Sequence, residues 1–153
     1  MTTDWRNALK WGFSGKGSHM PPRRAVQGLT AARATLAPPG GLHSAHRLLH
    51  HIVYWQGLIL AAIRGKVDWP EGPEDWDCEM APWDELVRQF EAHLDEANRQ
   101  AAEEDLTRRM PEWDESMTVG GALTVLITHN SYHLGQLIDV RRLTGCWEEE
   151  KKG

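Results

Sequence analysis

Residues Thr124–Gly145 read TVLITHNSYHLGQLIDVRRLTG, and this stretch decides the fold of the chain. At about 100° of turn per residue, Ala122, Leu126, His129, His133, Gln136 and Val140 share one helical face. His129 and His133 are four residues apart, so their rings stack one above the other within reach of a single metal ion. Thr118 offers a capping hydroxyl before this run and Gly145 a left-handed stop after it, which predicts a helix over 118–145. Two imidazoles rarely hold an ion alone, so a third ligand is expected from a facing helix.

Upstream, the same punctuation divides the chain into helical runs without any alternating strand pattern. A short helix over residues 3–12 stops at Gly12, and the loop from Gly15 to Pro22 leads to a second helical piece over 23–35. That loop contains Gly17-Ser18-His19-Met20, which resembles the scar of a cleaved tag. The amphipathic turn Asp4–Trp11 before it favours reading all of it as native sequence. Pro38-Pro39-Gly40-Gly41 ends this section, and a long helix runs from the cap Ser44 to Gly65. Residues 66–81, with Trp69, Pro70, Pro73, Trp76 and several acidic residues, read as a long ordered loop. A helix from Pro82 to Glu104 buries Leu86, Phe90, Leu94 and Ala97, and the run Glu103–Ser116, broken by Pro111, links it to the last helix. The predicted fold is all-α, a four-helix bundle with a short additional N-terminal helical segment, neighbouring helices antiparallel, in a single domain over residues 1–153.

Composition removes several function classes. The 153 residues carry a net charge of -5, without the basic footprint that phosphate-backbone binding needs, so nucleic acid is not expected as a partner. The longest apolar stretch, Leu58–Ile63, is far short of the roughly 20 residues of a membrane span. Cys78 and Cys146 lack paired spacing and no export signal is evident, which predicts a cytoplasmic, reduced protein.

The third ligand is sought among His43, His46, His50, His51 and His93. On the helical wheel His51 shares a face with Leu48, Trp55, Leu58, Ile59 and Ala62, and so faces the core. His46 and His50 lie with Gly57 and Arg64 about 100° or more away by the same geometry, and are expected to face solvent. They form the rival i,i+4 pair. His93 reads as a surface position.

Two stretches, Leu48-Leu49-His50-His51-Ile52-Val53-Tyr54-Trp55-Gln56 and His129-Asn130-Ser131-Tyr132-His133-Leu134-Gly135-Gln136, resemble the DinB/YfiT-like family of metalloenzymes in order, spacing and helix placement. The resemblance covers nearly the whole chain. It implies a four-helix bundle, often a homodimer, in which one histidine from the second helix and two from a late helix hold a divalent metal. Carried over by position, these are His51, His129 and His133. Characterised relatives include transferases and isomerases that use low-molecular-weight thiols, so the resemblance implies a small-molecule substrate, a thiol among the options, in a transferase or hydrolase reaction. A metal-binding or stress-response protein without turnover is the alternative.

Three neutral imidazoles leave a coordination position open, as in catalytic zinc sites. Zinc is the first expectation and nickel the second, since imidazole suits both. Tyr132 and Gln136 flank the ligand pair as catalytic candidates able to orient a bound water or the far nitrogen of a ligand ring. Gly135 offers room for close approach, and Trp55, Trp69, Trp76 and Trp83 either wall a pocket or fill the core. Cys78 reads as an uninvolved thiol.

Overall fold

Local capping sets most of the helix boundaries. In the computed structural model, which describes residues 4–16, 19–71, 76 and 78–148, helix α1 covers Trp5–Ser14. The Asp4 carboxylate accepts a hydrogen bond from the Asn7 amide at 3.2 Å, and Gly15 closes the helix at φ +74°. The predicted stop at Gly12 is therefore wrong. Gly12 lies inside α1, where a Cβ would fall 2.7 Å from Ile127 Cδ1, so this glycine is a packing notch against the last helix.

The predicted helical piece over 23–35 is two pieces. A 3-10 turn spans Pro22–Ala25, and the four-residue helix α2, Ala31–Ala34, begins where Thr30 caps the Arg33 amide. Between them Gly28 adopts φ +71°, which breaks the continuity. Helix α3 runs Ala45–Ile63, capped by Ser44 Oγ on the Arg47 amide at 3.2 Å. Helix α4, Trp83–Glu103, follows Pro82, and helix α5, Val119–Leu143, starts where Thr118 Oγ1 accepts from the Gly121 amide at 3.1 Å. No described residue between Gly65 and Pro82 belongs to an α-helix; residues 72–75 and 77 of the expected loop lie outside the described residues. The only β feature among the described residues is an isolated bridge between Arg109 and Thr118 in the link to α5.

The chain is all-α, and α1, α3, α4 and α5 form the bundle. Phe90, Leu94, Leu49, Ile52, Leu60, Ile63, Leu86, Leu123, Leu126 and Leu137 are fully buried between them, each contributing roughly 1.5–3 kcal/mol by transfer from water. The stripe Leu86, Phe90, Leu94 and Ala97 faces inward as predicted.

One expectation about direction fails. The contacts His46–Trp83, Gln56–His93 and Arg64–Glu96 advance together along both helices, so α3 and α4 run in the same sense. The connection over residues 64–82 is long enough to return along a 19-residue helix, about 28 Å at 1.5 Å per residue, and so does not force an antiparallel turn. Arg6 of α1 donates to the carbonyls of Ala101 and Glu104, and Arg108, whose own carbonyl accepts from the Val119 amide at the start of α5, donates to the Ile63 carbonyl. These bonds bring the start of α1 to the end of α4, and the approach to α5 to the end of α3, making both pairs antiparallel.

Candidate metal centre

His51 stands two turns inside α3, and its cap, Ser44, fixes the phase of the helix that carries it. The ring is 6% exposed, which bears out the wheel reading. From α5, His129 and His133 reach across to it. His51 Nε2 lies 3.0 Å from His133 Nε2 and 3.1 Å from His129 Nε2. One ligand atom from each of the three rings falls within 4.8 Å of the others.

The three rings can hydrogen-bond to one another at these distances, and they can also share an ion. Gln136 Oε1 accepts from His133 Nδ1 at 2.7 Å. The hydrogen therefore sits on Nδ1, and the neutral ring turns the Nε2 lone pair toward the other two histidines. A tetrahedral ion bound about 2.05 Å from each nitrogen would hold its ligands about 3.3 Å apart, a few tenths of an ångström more than the two spacings from His51. The residues present fit a divalent metal.

A stack of rings braces the centre. Trp76 lies parallel to the His51 ring at 4.1 Å and, on its other face, to His43 at 4.2 Å, each pair 16° from coplanar. Trp55 meets His51 edge-on at 6.5 Å and His129 at 6.2 Å. Of the four tryptophans singled out, Trp55 and Trp76 border the histidines. Trp83 is buried, its indole N–H on the Leu29 carbonyl, and Trp69 packs on Trp113.

The expectation that His46 and His50 face solvent is overturned. His50 is buried with Nε2 3.0 Å from Cys78 Sγ, and His46 Nε2 bonds the Ala81 carbonyl at 2.9 Å. Between them Arg47 donates to the carbonyls of Trp76 and Cys78. These three residues dock the α3–α4 connection onto the side of α3 that a wheel drawn on one helix assigns to water. Cys78 is thus engaged with a histidine, though it is not one of the three-ring cluster. His93 is half-buried and not a surface residue; its Nδ1 faces Gln56 Oε1 at 3.3 Å, and burial lowers its pKa below the ordinary value, with Glu96 opposing and Arg64 adding to the shift.

Tyr132 is largely exposed, its ring edge-on to His133 at 4.8 Å, and Gln136 is exposed beside the same ring. The remainder of the predicted inward face, Ala122, Leu126 and Val140, is buried. A Cβ at Gly135 would meet nothing within 4 Å, so no described residue uses the space it leaves. The link His19 Nε2 to Ser131 Oγ, 3.1 Å, ties the loop before the 3-10 turn to α5; no spacing in the sequence signals it.

A family model described as DinB superfamily matches residues 23–137, a span that contains all three histidines. A crystal structure of a proposed member of the DinB family from Exiguobacterium sibiricum 255-15 superposes with a TM-score of 0.63 at 16% identity, covering 99% of each chain. At that identity the likeness is one of fold. No curated protein matches the sequence.

Proposed function

The chain belongs to the DinB superfamily, and from that premise we propose that it is a divalent-metal-dependent enzyme acting on a small molecule. The observation that carries the reading is the convergence of the His51, His129 and His133 Nε2 atoms with the His133 tautomer fixed by Gln136. Zinc or nickel would suit three imidazoles and, with a position left open, would supply Lewis acidity toward a bound water or thiol.

The chain's own residues have separable tasks in this reading. His51, His129 and His133 bind. Gln136 orients His133, and the indole of Trp76 covers one face of His51 and keeps water from it. Tyr132, at the exposed rim beside His133, is the hydroxyl available to position a substrate. A low-molecular-weight thiol as cosubstrate, in a transferase or hydrolase reaction, is the favoured chemistry.

Elemental analysis of the purified protein tests the binding step. One divalent ion per chain is expected at pH 7.5, lost in His51→Ala and His129→Ala. Because ligation needs neutral rings, release is expected as pH falls below about 6. Unchanged metal content in His129→Ala, or full retention at pH 4.5, would sink the site. Turnover of thiol adducts by the metal-loaded protein, absent in the same variants, tests the enzyme reading separately.

A further inference from the structure

Three polar residues of α3 meet the connection that follows it, and they do not share one task. His46 Nε2 donates to the Ala81 carbonyl at 2.9 Å, and His50 Nε2 faces Cys78 Sγ at 3.0 Å. Both contacts fall after Trp76 in the chain. Arg47 Nη1 donates to the Trp76 carbonyl itself at 2.6 Å and to that of Cys78 at 3.3 Å. Among the described residues, Arg47 is the one side chain bonded to the backbone of Trp76.

That bond fixes the middle layer of a ring sandwich. The Trp76 indole lies between His51 at 4.1 Å and His43 at 4.2 Å, each pair 16° from coplanar. Ser44 caps the Arg47 amide at 3.2 Å, so the residue that anchors the indole is itself anchored at the start of α3. Arg47 and His51 stand four residues apart, neighbours on the helix surface. An anchor on the carbonyl at one therefore lays the indole over the other. Gln136 orients His133 by a hydrogen bond, whereas the contact on the face of His51 is this indole. A ring stacked on a flat neighbour gives up rotation before an ion arrives, so less ordering is left to the binding step.

We propose that Arg47 is a positioning residue of the three-histidine centre: through the Trp76 carbonyl it holds the indole on His51 and so pre-aims the His51 ring at His129 and His133. Arg47 touches none of the three rings in this role and acts only through Trp76. Its effect on a bound ion rests on the metal-binding reading above, whereas its effect on the His51 ring does not.

Two measurements on the full chain separate these effects. In proton NMR of the chelator-treated, metal-free protein, the carbon-bound ring protons of His51, assigned by their loss in His51→Gln, are expected upfield of ordinary histidine signals, because the indole lies over them. Arg47→Ala should return them to the ordinary range, and Arg47→Lys, which keeps a donor for the carbonyl, should leave them in between. Competition for zinc with a chromophoric chelator should give an affinity about three- to tenfold weaker in Arg47→Ala and in Trp76→Leu alike. The double variant should bind within about twofold of either single one, since both changes remove the same stack. Cys78→Ala, which leaves the Trp76 carbonyl bonded, should keep the His51 signals in place and the affinity within about twofold of the parent. Unmoved His51 signals in Arg47→Ala, losses that add in the double variant, or a displacement by Cys78→Ala as large as that by Arg47→Ala would overturn the proposal. A parent protein that binds no zinc, with His51 signals that still move in Arg47→Ala, would sink the metal reading and support the role of Arg47. Zinc binding by the parent with those signals unmoved would do the reverse.

Discussion

Replacing Gln136 with alanine is expected to weaken divalent-metal binding about tenfold while leaving the helix intact. The amide oxygen accepts from His133 Nδ1 at 2.7 Å, and this bond keeps the Nε2 lone pair aimed at the other two rings. Loss of a partner that orients a metal-bound histidine costs about 10- to 100-fold in affinity. Gln136 is exposed, so water can replace the amide in the variant. That puts the effect at the lower end, near the 1.4 kcal/mol equivalent to a factor of about ten. Alanine favours helix at least as well as glutamine, so the melting temperature without metal should not fall. Gln136→Glu supplies the contrast, since an ionised acceptor makes the ring more basic and should tighten binding by a few-fold. Competition with a chromophoric chelator at pH 7.5 gives the affinities, and cobalt substitution gives an absorption band that reports coordination. An alanine variant within about twofold of the parent, or a glutamate variant weaker than the alanine one, would show that Gln136 does not set the tautomer.

His93 should make the metal-free protein less stable in acid. Its folded pKa lies below the ordinary 6.5 through burial, so the unfolded chain binds more protons; the stability it contributes is full above about 6.5 and is lost as pH falls through the folded value. Thermal melts from pH 7.5 to 5.5 should show His93→Gln losing less than the parent, and equal losses would refute the assignment. Gly57→Ala should stabilise by about 0.5–1 kcal/mol through helix propensity, because the new methyl meets only His93 Cε1 at 3.6 Å. Gly12→Ala should instead destabilise by about 1–3 kcal/mol through overpacking against Ile127, and urea melts that ranked the two the other way would contradict the packing described. Asn130 is buried with both amide atoms unpartnered among the described residues. Asn130→Leu should therefore raise stability by about 1–2 kcal/mol, whereas a loss in the same melts would reveal a buried water or ligand bonded to that amide.

What could be read from sequence was what depends on neighbours within one turn of helix. Ser44 and Thr118 cap the amides three residues on, so both site-bearing helices start where the sequence places them. His129 and His133 share a face by spacing alone, and Gln136 reaches His133 across an i,i+3 step. The phase of α3 selects His51 over His50 because the face His51 shares carries Leu48, Ile59 and Ala62, all buried. The errors came where a distant segment decides the outcome. Gly12 has the composition of a stop, but Ile127 of α5 makes it a notch. His46 and His50 have the spacing of a solvated pair, but the connection after α3 is docked over them by Arg47. That docking also sets Trp76 against His51 and His43, a brace no periodicity could announce since Trp76 belongs to no α-helix. The same segment explains why the run His50-His51 is ambiguous on its face and unambiguous in the fold. One ring turns to the loop thiol and the other to α5, so adjacent histidines 100° apart on a helix serve two different contacts, and a metal held by His51 would leave His50 committed to Cys78.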